Sequence, residues 1–165
     1  EIEQAQRIAE PLDKIYRKIT RNTNIKRIVF ERARTQNPNA ELKIIDYENK
    51  ESQFANILSA GQLSTLAISI FLSKAMLNKD SDFRCYFMDE PIQTMDDLNI
   101  LSFVDLLRFK LNSNNANDSF IDKIFISTCD SDLEKLIIHK MSSFGVPVCE
   151  YRFEGPSNLL RKVIE

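Results

Sequence analysis

The residues best suited to chemistry are the adjacent carboxylates Asp89 and Glu90, which close the apolar run Cys85-Tyr86-Phe87-Met88. Such a run reads as a buried strand, and in parallel α/β sheets ligands gather at the C-terminal ends of strands. There one carboxylate can hold Mg²⁺ while its neighbour orients and deprotonates a water, the two tasks of nucleotide hydrolysis. A solvated turn after a strand would present the same pair, so the carboxylates alone leave two readings open.

A second group lies upstream, Leu58-Ser59-Ala60-Gly61-Gln62, where a polar loop enters an apolar-periodic segment. A serine hydroxyl, a glycine that permits close backbone approach and the open N–H groups of a helix start together make an anion site. A plain serine N-cap fits the same five residues. The order favours function: Ser-Ala-Gly first, then one helix, then the carboxylates, then Pro91 and Thr94-Met95-Asp96.

The elements that must position these groups follow from periodicity. Ile2, Ala5, Ile8, Leu12, Ile15 and Ile19 recur every three or four residues, predicting an amphipathic or coiled-coil helix interrupted by Pro11. It reads as the end of something longer. Residues 27–33 and 41–47 are rich in β-branched residues around Asn37-Pro38-Asn39 and predict a β-hairpin. A buried helix spans Gly61 to Leu77, followed by a strand from Arg84 to Met88 and a second buried helix from Asp97 to Leu111, with Asp96 and Asp97 at its start. After a polar loop, residues 112–119, come a strand over Ile121 to Ser127 and a helix opened by a Ser131/Glu134 capping box. A strand over Val146 to Phe153 follows, and a last short helix after Gly155-Pro156. Alternating strands and helices predict an α/β fold with a mainly parallel sheet flanked by helices.

Composition bounds the partners. At 165 residues and 43% hydrophobic, the chain can bury one ordinary core. No apolar run is expected to span a membrane, and the polar start has no signal-peptide pattern, so no membrane partner is expected. Cys85, Cys129 and Cys149 are widely spaced without a CxxC pair and read as reduced, buried thiols, which places the protein in the cytoplasm. His139 lies mid-helix and is read as a partly exposed helix residue. The net charge of −2 hides an asymmetry: residues 1–34 hold nine Lys/Arg against five Asp/Glu, and the remainder is acidic. Arg17, Lys18, Arg21, Lys26, Arg27, Arg32 and Arg34 could meet a nucleic-acid backbone or form a solvated face.

Taken together, LSAGQ resembles the ABC signature, YFMDEP a Walker B strand and IQTMDD a D-loop, and the chain resembles the C-terminal lobe of the ABC-type ATPase heads of SMC and SbcC-like proteins. The resemblance covers nearly the whole chain. It implies a division into residues 1–22, the end of a coiled-coil entry helix, and residues 23–165, the lobe itself. By resemblance, Ser59, Ala60, Gly61 and Gln62 face the γ-phosphate of ATP held by an opposing head. Asp89 supports Mg²⁺ through water, and Glu90 is the catalytic base. Asp96 belongs to a D-loop linking two composite sites, while Arg17, Lys18, Arg21, Lys26 and Arg27 lie near bound DNA.

Two departures qualify the resemblance. Where the family carries a switch histidine, this chain has Thr128-Cys129, and a thiol is a poor hydrogen-bond donor to phosphate. Either Thr128 takes the contact, or turnover is slow and the protein works as an ATP-gated clamp, for example in a phage or plasmid defence complex. The P-loop is also missing: none of Gly61, Gly145 and Gly155 stands in a G-x-x-x-x-G-K-[ST] run. Most of the ATP contacts, including Walker A, are therefore expected on an N-terminal lobe, in the same gene product or a separate chain. A second head, DNA and a nuclease or other effector complete the expected partners, at the nucleoid.

Overall fold

The computed structural model describes residues 2–20, 25–32, 40–53, 58–78, 80–112, 119–155 and 158–164. Helix α1 (Ile2–Ile19) is followed by strands β1 (Ile25–Arg32), β2 (Ala40–Asp46) and β3 (Glu51–Gln53). Then come α2 (Ala60–Leu77), β4 (Cys85–Asp89), α3 (Asp97–Leu111), β5 (Lys123–Ser127), α4 (Ser131–Ser142), β6 (Val148–Gly155) and β7 (Asn158–Ile164).

Pro11 does not interrupt α1, which runs unbroken through it. Ile8 and Leu12, on either side of the proline, are both buried. Packing therefore holds the helix together where one backbone hydrogen bond is missing. The buried side chains of α1 divide between two hydrophobic clusters. Ile8, Leu12 and Tyr16 meet Ile28, Leu42 and Ile44 of the β1–β2 hairpin. Ile15 and Ile19 join the larger cluster around Phe103, Val104 and Leu107 of α3. The Tyr16 hydroxyl has no hydrogen-bond partner among the described residues. Burial pushes its pKa up to about 12, so it stays neutral.

The hairpin expected from residues 27–33 and 41–47 forms as β1 and β2, paired antiparallel with Ile28 opposite Ile44. Its turn residues 37–39 lie outside the described residues. A third strand, β3, adds to β2. The link between them is an Asx-type turn in which Asp46 Oδ1 accepts from the N–H groups of Glu48 and Lys50, each at 2.9 Å.

Helix α2 is 18 residues long with a mean hydropathy of 1.3, enough by length and composition to cross a bilayer, contrary to the expectation that no segment would be. Here it is a core helix: Leu66 lies in the hairpin cluster, and Ile68, Leu72 and Ala75 lie in the larger one. Its buried face carries Thr65, Ser69 and Ser73, whose hydroxyls donate to the carbonyls of Gly61, Thr65 and Ser69 one turn back. These bonds satisfy the hydroxyls without partners outside the helix.

The parallel part of the fold is the pair β4–β5, while the other two sheets are antiparallel. The architecture is mixed α/β, with the parallel pairing confined to the strands that carry the carboxylates. Tyr86, Met88, Ile124 and Ile126 point from that pair into the larger cluster. The Tyr86 ring meets Phe71 of α2 edge to face, with centroids 5.7 Å apart. On the opposite face Phe87 and Phe125 stack at 4.6 Å. They remain 67% and 46% exposed, so the described residues cover this sheet on one side only.

Three further expectations are corrected. The segment after Gly155-Pro156 is not a helix but the strand β7, paired antiparallel with β6 from Val148–Ile164 to Phe153–Leu159. Cross-strand pairing overrides the helix propensity of its Leu, Arg and Lys residues. Helix α4 is capped not by Ser131 but by Asp130, whose Oδ1 accepts from the N–H groups of Asp132 and Leu133. Of the cysteines expected to be buried, Cys85 is half-buried, and Cys129 and Cys149 are exposed.

Candidate active site

The site is built on the register of β4 against β5. Each residue from Cys85 to Asp89 pairs with its counterpart from Lys123 to Ser127, so Asp89 stands beside Ser127 at the C-terminal ends. At the opposite ends Arg84 grips Asp122 through two bonds, Nη2 to Oδ1 at 2.5 Å and Nε to Oδ2 at 3.0 Å. Its Nη1 also reaches the Ser119 carbonyl at 2.9 Å. This bidentate fork makes a one-residue slip costly.

Beyond that register, successive residues of one strand end hold successive carboxylates of the other. The Ser127 hydroxyl donates to Asp89 Oδ1. The Thr128 hydroxyl donates to Glu90 Oε2 at 3.1 Å, and the Cys129 backbone N–H donates to Glu90 Oε1 at 2.6 Å. Thr128 Oγ1 in turn accepts from the Asp130 N–H at 3.0 Å, which ties the Glu90 latch to the N-cap of α4. The Glu90 backbone turns sharply, with φ at 44°, while its N–H bonds the Ser127 carbonyl at 2.9 Å. A non-glycine residue in this left-handed region is strained, and here the strain aims a carboxylate.

The electrostatics follow from these contacts. The Cys129 side chain and then its backbone N–H hold the Glu90 carboxyl below the usual glutamate range, with help from Thr128 and against burial and the Asp89 charge. In return Glu90 pushes the Cys129 thiol up. Cys129 therefore stays a neutral thiol beside an ionised Glu90.

A second candidate group is the N-terminus of α2, which lines a cleft separate from the carboxylate pair. Ser59 caps it in extended conformation, its Oγ accepting from the Gln62 N–H at 3.3 Å while Gln62 Oε1 accepts from the Ser59 N–H at 3.0 Å. The capping box uses both side chains on the helix itself. What faces outward is the first turn, where backbone N–H groups lack intrahelical acceptors. Ser59, Gly61, Gln62, Thr94, Asp96 and Asn99 line a cleft of about 400 Å³ there. Asp96 is the N-cap of α3, with Oδ1 accepting from the Asn99 N–H at 2.9 Å and Oδ2 from Asn99 Nδ2 at 2.8 Å.

The structure thus gathers Ser59, Gly61, Gln62 and Asp96 at one cleft, with Ala60 exposed in the same helical turn, and Asp89, Glu90, Thr128 and Cys129 at one strand end. Of the basic candidates, Arg17 pairs with Asp13 at 2.8 Å and Lys26 bonds Asn49 at 2.6 Å. Lys18 and Arg27 are exposed, and Arg21 lies outside the described residues, as does Arg34. Sequence reasoning missed Ser127 and Asn99. Ser127 gains meaning only once the strand register places it opposite Asp89, whereas Asn99, three residues after an Asp N-cap, was legible as a capping partner.

The donor set fits Mg²⁺, which keeps several waters and takes one or two carboxylates alongside phosphate oxygens. Asp89 is exposed, and Ser127 occupies only one of its oxygens.

No protein-family model and no curated protein matches the sequence, but solved structures share its fold. An SMC ATPase chain, described with ATP-driven dimerisation and DNA-stimulated activation, matches 99% of this chain and is itself 87% covered, with a TM-score of 0.65 and 11% identity. The SMC head domain of Thermotoga maritima is 14% identical with a TM-score of 0.56, and this chain spans 99% of itself but 49% of that one. A Pyrococcus furiosus SMC head with an extended coiled coil, bound to the C-terminal domain of ScpA, gives a TM-score of 0.59 at 13% identity over 95% of this chain and 35% of that one. The fold is that of a segment of an SMC ATPase head.

If the latch sets the Glu90 titration, Thr128→Val should move it upward toward the ordinary glutamate value. The charged form of Glu90 is favoured above that value and lost as pH falls through the depressed one, so the variant should lose it at higher pH. Carboxyl NMR of Glu90 would read the shift, and an unchanged titration would mean that Thr128 takes no part in setting it.

Proposed function

We propose that this lobe is the half of an SMC-like ATPase head that faces an opposing head's ATP and carries the catalytic base, coupling ATP-dependent head pairing to DNA. The observation that carries the reading is the SMC head fold with the Asp89-Glu90 pair held by Ser127, Thr128 and Cys129 at a strand end.

In this reading the first turn of α2, at Ser59, Ala60, Gly61 and Gln62, receives the γ-phosphate of the ATP on the partner head, where N–H donors and the helix dipole favour negative charge. Glu90 takes a proton from the attacking water as its oxygen bonds to phosphorus and the bond to ADP breaks. Thr128 and the Cys129 N–H keep that carboxylate ionised and aimed. Asp89 would hold Mg²⁺, which when bound would supply neutralisation of charge on the phosphates. Asp96 sits at the lip of the same cleft.

The missing half of the site belongs to a lobe carrying Walker A. Two observations support it: the chain spans 49% and 35% of two of the SMC heads it matches, and the stacked Phe87 and Phe125 form an apolar sheet face that the described residues leave uncovered. Beside them Ala67, Ile68, Phe71 and Met88 line a groove of about 300 Å³. The N-terminal lobe covers that face, α1 continues a coiled coil, and Lys18 and Arg27 with their basic neighbours meet DNA phosphates.

Mixed with a lobe carrying the P-loop, the Glu90→Gln chain should double in mass on adding Mg-ATP and show no hydrolysis, and Ser59→Arg should abolish the doubling. Unchanged mass, or wild-type turnover by Glu90→Gln, would remove the assignment. Lys18→Glu with Arg27→Glu should weaken DNA binding and flatten its dependence on salt, and an unaltered salt slope would place DNA elsewhere.

A second reading, an ATP-gated clamp with weak hydrolysis, is favoured by one specific observation. The only proton of the Thr128 hydroxyl is donated to Glu90, and the Cys129 thiol is a weak donor, so neither supplies a switch contact to phosphate. Cys129→His should then raise turnover by about tenfold or more, the scale of one restored donor. Equal turnover in the two proteins would mean that the switch is not limiting.

A further inference from the structure

Gly61 stands where the first turn of α2 meets the turn that leads into α3. A Cβ built on it would lie 2.5 Å from the Thr94 carbonyl oxygen and 3.6 Å from Met95 Cα. The obstacle is backbone, so no side-chain rotation relieves it, and the glycine serves close approach between two segments. Two hydroxyls reinforce the contact. Ser64 Oγ lies 2.6 Å from Thr94 Oγ1, which also lies 3.3 Å from the Ala60 carbonyl. A hydroxyl has one proton: Thr94 gives its own to Ala60, and Ser64 supplies the bond between them. Beyond Thr94 the turn is anchored by buried Met95, and Asp96 is fastened into α3 through Asn99. The residues from Thr94 to Asp96 are thus clasped by α2 on one side and by α3 on the other.

We infer that Thr94 and Ser64 are positioning residues that lock the first turn of α2 to the Asp96 turn, so that both lips of the cleft move as one body. The inference rests on the reading of this cleft as half of a composite ATP site. It gives Gly61 a task inside its own chain, separate from approach to phosphate, and gives this chain a direct path from the residues facing one nucleotide to the turn that carries Asp96. A displacement at Ser59 to Gln62 reaches Asp96 through backbone contact and two hydroxyls, without passing through the β4–β5 pair.

The test uses this chain assembled with its P-loop lobe. Thr94→Val keeps the shape and deletes the hydroxyl, Thr94→Ser keeps the hydroxyl, and Ser64→Ala removes the donor. Expected is a fall in kcat of about five- to tenfold for Thr94→Val, the scale of one ordinary hydrogen bond felt in the transition state. KM for ATP should stay within about twofold, because the contact orients rather than binds. ATP-dependent doubling of mass should persist, Thr94→Ser should restore kcat, and Ser64→Ala with Thr94→Val should be no worse than Thr94→Val alone. Wild-type kcat in Thr94→Val, additive losses in the double variant, or no rescue by serine would overturn the inference while the ATPase reading stood. A wild-type assembly that neither doubles nor hydrolyses ATP would end both.

Discussion

The site depends on one constraint, the parallel register of β4 on β5. With Arg84 locked on Asp122 at one end, Asp89 can only fall beside Ser127 at the other. The chain then delivers Thr128 and Cys129 to Glu90 without further adjustment. Because side chains alternate along a strand, the same register sends Tyr86, Met88, Ile124 and Ile126 into the core and leaves Phe87 and Phe125 outside. A slip by one residue would turn the apolar face outward and part both carboxylates from their donors. Core and site thus share a single geometric condition, and the salt bridge that enforces it lies at the far end of the strands.

The latch on Glu90 mixes two kinds of contact with different tolerance to change. The Cys129 contribution includes a backbone N–H, which almost any residue at that position could supply. The Thr128 contribution needs a hydroxyl, and that hydroxyl also accepts from the Asp130 N–H at the start of α4. The carboxylate is therefore held partly by the path of the chain and partly by two side chains, the Cys129 thiol and the Thr128 hydroxyl. This division explains how Glu90 stays oriented with a cysteine at position 129.

Much of this arrangement was legible in the sequence where local chemistry and tertiary packing agree. The Ser59 capping position, the apolar period of α2, the short strand ending in Asp89-Glu90 and the acidic start of α3 all form as their residues suggest. Most of the misses share one cause, that partners distant in sequence decided the outcome, whereas the α4 cap was a local choice of Asp130 over Ser131. Asn158 to Ile164 has no strong strand pattern and becomes a strand because β6 is there to pair with it. Pro11 promised a break in α1 that burial on both sides prevents. Ser127 looked like an ordinary strand residue, and Cys129 and Cys149 looked like core thiols. Single-sequence patterns register hydrophobicity but not which strand face meets solvent.

The way α1 and α2 are shared between two hydrophobic clusters has a mechanical consequence. Each helix buries residues against the antiparallel hairpin and against the layer that holds β4 and β5. Packed interiors resist deformation and pass small displacements on instead of absorbing them. A tilt or axial pull on α1 cannot be taken up by one cluster alone: it loads α2, whose N-terminal turn borders the cleft, along with the hairpin. The two helices therefore move together, and a displacement of α1 is passed to the helix whose first turn holds Gly61.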